Sequence, residues 1–180
     1  MRVEEFAAKY RANCDHFIGQ LNSDISKLNE KQLNYSPHIK RCSIRQIMEH
    51  LVKLNNSLIS AIEQAVSTMK TGGMQADYKR GGLVKMAIRH AEHIHCYRGE
   101  SGQDHEYIDS QDENIFLILV KQQNKLKELI ALCEQADINK KVIPFWFFGL
   151  LKLSIGETLE YLFICQKSHF RLAKQIMMLL

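Results

Sequence analysis

Two prolines in 180 residues, Pro37 and Pro144, leave nearly all of this chain free of helix breakers. Both fall between long segments whose apolar residues recur at three- and four-residue steps, the period of one helix face. In the first segment the stripe is Val3, Phe6, Tyr10, Cys14, Phe17, Leu21, Ile25 and Leu28, which predicts a first helix near residues 2–29. Ser43 with Gln46 three residues later is a capping-box signature and predicts a second helix from Ile44 to about Lys70, where Gly72-Gly73 ends it. Ser110 with Glu113, and Ser154 with Glu157, repeat that signature. They predict a third helix to about Ala136 and a fourth, with Ile155, Leu159, Leu162, Cys165, His169, Leu172 and Ile176 on its stripe, to about Met178. The expected fold is therefore all-α, a four-helix bundle forming a single domain over residues 1–180.

The connections are unequal. About 40 residues separate the second and third helices, enough for a crossing along the bundle, and residues 83–97 are expected to form a short extra helix there. The link before the fourth helix carries the apolar run 145–151. It reads either as a lid packed on the bundle end or a short strand pair, or as a dimer surface. No charge-free apolar run approaches the roughly 20 residues of a membrane helix, so no membrane span is expected. The net charge of +4 is scattered over both signs without a basic block, which gives no nucleic-acid footprint. Five cysteines, an odd number, and a start lacking a basic-then-apolar layout point to reduced thiols in the cytoplasm.

Candidate chemistry lies on the interior stripes. His50, three residues after Ile47 and four before Leu54, is expected to face the bundle interior, and Cys165 and His169 share one face of the last helix. Two donors at i and i+4 with a third from a facing helix can converge on one metal ion. The same residues also read as a core histidine hydrogen-bonded to a neighbour and a cysteine acting as a small hydrophobe. Glu49 falls on another face than His50 and is not cast as a general base. A second histidine group, His90, His93 and His95 with Cys96 and nearby His105, matches no established metal spacing and reads as a solvated polar segment.

Two stretches carry a family resemblance. Asn34-Tyr35-Ser36-Pro37 followed by Cys42-Ser43-Ile44-Arg45-Gln46-Ile47-Met48-Glu49-His50-Leu51 resembles the turn and helix entry of DinB-like proteins. Leu153-Ser154-Ile155-Gly156-Glu157-Thr158-Leu159-Glu160-Tyr161-Leu162 resembles the entry to their last helix, which carries two histidines four residues apart. The resemblance implies an open three-histidine site for zinc or nickel in a four-helix bundle. It also implies a homodimer, and in characterised members thiol-dependent S-transferase or isomerase activity. Carried over, the metal set is His50, Cys165 and His169, with Cys165 standing where the family has histidine and Cys42 where it commonly has tryptophan.

A thiolate with two imidazoles and an open position is a recognised zinc arrangement. The expected chemistry is then activation of a low-molecular-weight thiol for attack on an electrophilic small-molecule substrate, or hydrolysis by a metal hydroxide. The competing expectation is a degenerate site, with Cys165 packed and the protein acting as a binding or stress-associated member.

Overall fold

The structure is a computed structural model and describes residues 1–38, 41–68, 77–82, 84–85, 88–89, 114–144 and 152–180. Its elements in chain order are α1 (Val3–Gln20), which runs on into a π-helical turn (Leu21–Ile25), α2 (Glu30–Leu33), α3 (Ile44–Ser67), α4 (Ile115–Cys133), β1 (Lys141–Pro144), β2 (Lys152–Ser154) and α5 (Ile155–Met177). The chain is thus mostly helical with, among the described residues, one small antiparallel strand pair, β1 beside β2. No described helix is long and apolar enough to cross a membrane.

Two helix starts follow directly from the capping chemistry. The Ser43 side chain accepts from the Gln46 N–H while the Gln46 side chain accepts from the Ser43 N–H, and Ser154 with Glu157 does the same for α5. The third start differs. Asn114 caps α4, its Oδ1 accepting from the Phe116 N–H at 3.0 Å, so the helix begins at Ile115 rather than after Ser110. The first helix also differs from the expectation. It ends regular α geometry at Gln20 and closes a wider turn, with the Ser26 N–H donating to the Leu21 carbonyl at 3.0 Å. Asn29 and Gln32 then form a capping box that the periodicity of Leu28 concealed. Most of the expected helix at 83–97 and the whole apolar run 145–151 lie outside the described residues.

Packing places α3 along both α4 and α5, and α1 along α4. Among the described residues the buried side chains form two apolar clusters. One gathers Phe6, Tyr10 and Cys14 of α1 with Leu58 and Ile62 of α3, Leu126 and Ile130 of α4, and Leu159, Leu162 and Cys165 of α5. The other gathers Phe17 and Leu21 with Ile47, Leu51 and Val52 of α3, Leu119 of α4, and Phe170 and Ala173 of α5. Cys14 and Cys133 are buried free thiols in the first cluster, as their stripe positions predict. Cys42 departs from the expectation of reduced thiols throughout, because it is disulfide-bonded.

The entry to α5 is built around buried carboxylates. Glu157 accepts from the Ser154 N–H at 2.8 Å and the Gly81 N–H at 3.2 Å and pairs with Lys141. Glu160 accepts from the Tyr78 hydroxyl at 2.7 Å and pairs with Arg80. Segment 77–82 is thereby held across the start of α5. Gly156 is required by that approach, since a Cβ there would lie 2.6 Å from the Tyr78 ring.

Candidate functional site

His50 and His169 come together. Their imidazole rings stack with centroids 5.1 Å apart and planes 24° from parallel, one ring from α3 and one from α5. The burial is unequal. His169 is enclosed, whereas His50 is half-buried at the margin of the helices, so the expectation that His50 faces the interior is corrected to a position on its edge. Its neighbour Glu49 is the more buried of the two, and desolvation pushes its carboxyl above the usual range against the pull of Arg45 and Lys53.

The protonation pattern of His169 follows from its partner. Nδ1 lies 2.7 Å from the carbonyl oxygen of Cys165. A carbonyl only accepts, so Nδ1 carries the hydrogen and Nε2 keeps a bare lone pair. Nε2 is buried and has no hydrogen-bond partner among the described residues. Burial also holds the imidazole below its ordinary pKa, which keeps the ring neutral. A histidine anchored through one nitrogen to a backbone carbonyl and bare at the other is the form in which imidazole binds metals.

Cys165 behaves differently. It is fully buried in the first apolar cluster, and its sulfur accepts a hydrogen bond from the Tyr161 hydroxyl. Burial pushes the thiol up to about 12 despite that bond, so it is protonated at neutral pH. The ligand form of cysteine is the thiolate, so an ion bound at this position would have to displace that proton. Among the described residues no three His, Cys, Asp or Glu side chains gather as ligands of one ion. The cluster His90, His93, His95, Cys96 and His105 lies outside the described residues.

The sequence reasoning missed a set of buried amides on the same helices and on α4. Asn55 of α3, Gln122 and Gln123 of α4 and Gln166 of α5 are all buried. Each lies on or next to an apolar stripe, between Leu51 and Leu58, Leu119 and Leu126, and Leu162 and His169 respectively. That spacing was the available signal.

The state of His169 has a measurable consequence for stability. Its folded pKa is below its unfolded value, so the unfolded chain binds the proton first as pH falls. With chelator present, stability is expected to be level above about pH 6.5 and to fall below it with a slope of up to about 1.4 kcal/mol per pH unit. Chemical denaturation from pH 7.5 to 5 checks this. His169→Gln is expected to flatten the acid limb, and an unchanged slope in that variant would assign the loss to other groups.

Compared with family models, curated proteins and solved structures, the chain finds no match in any of the three.

Proposed function

We propose that this chain is a DinB-like four-helix bundle whose metal centre has degenerated, a non-catalytic binding protein and not a thiol transferase. The observation that carries this reading is geometric: Cys165 is packed in the first apolar cluster, and among the described residues no three His, Cys, Asp or Glu side chains gather as one ligand set. The four long helices, the two reciprocal capping boxes and the long link between α3 and α4 support the family assignment. A homodimer, which the family resemblance implies, completes the proposal.

Elemental analysis of protein purified without a histidine tag tests it. The expected result is zinc and nickel well below one ion per chain, unchanged by His169→Ala. The second reading keeps an enzyme, a zinc- or nickel-dependent S-transferase or hydrolase. It is favoured by the bare, buried Nε2 of His169, whose ring stacks on that of His50. It requires one ion per chain in the wild type and its loss on His169→Ala, and that outcome would replace the first reading.

A further inference from the structure

The sequence holds five cysteines, Cys14, Cys42, Cys96, Cys133 and Cys165. Cys42 is disulfide-bonded, whereas Cys14, Cys133 and Cys165 carry free thiols. Within the chain that leaves Cys96 as the partner of Cys42. Cys96 lies outside the described residues, so its assignment rests on the count.

The three free thiols are poorly placed to take over the bond. Cys14 and Cys165 are fully buried and Cys133 nearly so. Burial pushes all three up to about 12, which leaves almost no thiolate at neutral pH. Disulfide exchange needs a thiolate with access to the sulfur it attacks. Cys42 and its partner are therefore isolated as one two-electron couple.

Cys42 can leave and rejoin that couple without disturbing the helix it precedes. It is 7% exposed and packs in the second cluster with Leu33, Ile44 and Met48. The backbone on either side is held by bonds that do not involve the sulfur. Ser36 Oγ lies 2.7 Å from the His38 carbonyl oxygen and 2.6 Å from that of Arg41, and the Arg41 N–H donates to the His38 carbonyl at 2.8 Å. On the helix side the Ser43 N–H donates to Gln46 Oε1 at 2.9 Å, and Arg45 pairs with Glu30 at 2.5 Å. A thiol released at Cys42 stays at the N-terminal end of α3, where the helix dipole favours thiolate and with it the return of the bond.

We propose that Cys42 and Cys96 form a reversible disulfide, a redox-sensitive crosslink that fastens the link between α3 and α4 to the entry of α3. A thiolate of a dithiol reductant attacks one sulfur, the S–S bond breaks and a mixed disulfide forms. The second thiolate of the reductant then closes the reductant's own disulfide, and both cysteines emerge as thiols, having taken up two electrons and two protons. Glutathione disulfide reverses the sequence and releases two glutathione thiols. The bond closes a loop from residue 42 to residue 96 that contains all of α3, so oxidation restricts the unfolded chain and raises stability. Neither cysteine belongs to the set His50, Cys165 and His169, so the crosslink stands or falls separately from the metal content of the protein.

The test starts from full-length protein made without reductant and denatured in N-ethylmaleimide. Three maleimide groups per chain are expected, and five after reduction with dithiothreitol. A tryptic digest of the unreduced sample is expected to show peptide 42–45 joined to peptide 90–98. Dithiothreitol added to the native protein is expected to lower the thermal midpoint by about 8 °C, and glutathione disulfide to restore it. Cys42→Ser and Cys96→Ser are each expected to keep the lower midpoint in both buffers, and either serves if the other does not fold. Five maleimide groups without reductant would overturn the proposal, as would a Cys42 peptide joined to any other cysteine or to a second copy of the chain. A bond that dithiothreitol reaches only after denaturation would show a permanent crosslink, which also overturns it.

Discussion

Phe6→Ala is expected to cost about 4 kcal/mol and to lower the thermal midpoint by roughly 10 °C, the largest loss expected for any single truncation in this chain's first cluster. Phe6 is almost fully buried, with its ring centroid 4.5 Å from that of Tyr10 and 4.6 Å from that of Tyr78. Tyr10 in turn lies 5.0 Å from Phe163 of α5. One ring therefore connects α1, segment 77–82 and, through Tyr10, α5. Its removal leaves a void that neighbours on three separate elements would have to close, and interiors relax only in part. Phe6→Leu retains most of the volume and should cost under half as much. Thermal and denaturant unfolding of the two variants would check this, and equal losses would mean that ring volume is not what matters.

Glu160→Ala is the second large effect, expected at about 2 kcal/mol. The carboxylate is almost fully buried and serves the Tyr78 hydroxyl as well as Arg80. Arg80 is about half exposed, with 48% of its side chain accessible, so water takes over much of its side of the pair. Most of the loss comes from Tyr78, whose hydroxyl is left buried with no acceptor. Glu160→Gln keeps an acceptor for that hydroxyl and should recover half or more of the loss. Unfolding free energies of both variants decide the matter, and equal losses in the two would place the effect on Arg80.

How much of this was legible in the sequence depends on distance along the chain. α3 and α5 start where Ser43 and Ser154 predict, because a capping box is satisfied within four residues. The same signature at Ser110 and Glu113 misplaced the start of α4, since Asn114 is an equally good cap and lies next to the apolar stripe. The π-helical turn after Gln20 left no mark, because Leu21 and Ile25 stay on the interior stripe through it. Glu157 and Glu160 look like first-turn surface acids. Their burial depends on Lys141, Tyr78 and Arg80, the last two some 80 residues away in sequence, and no local pattern reveals that.

The site was legible in position and less so in chemistry. His50 and His169 meet as the stripe positions imply, and His50 sits at the edge because Met48 and Leu51 take the interior of α3 at that level. That Cys165 is a core thiol follows from how completely α5 is enclosed at that level, which its place on the stripe does not reveal. The buried amides of Asn55, Gln122, Gln123 and Gln166 escaped because a polar residue beside an apolar stripe carries no local sign of whether it is enclosed.

The central claim, that the Cys165 thiol belongs to the core and not to a metal centre, is tested most directly by titrating untagged, chelator-stripped protein with cobalt(II) while recording its absorption spectrum. The account predicts no thiolate-to-cobalt charge-transfer band, and the same spectrum for wild type and Cys165→Ala. A charge-transfer band that saturates at one cobalt per chain and vanishes in Cys165→Ala would contradict it.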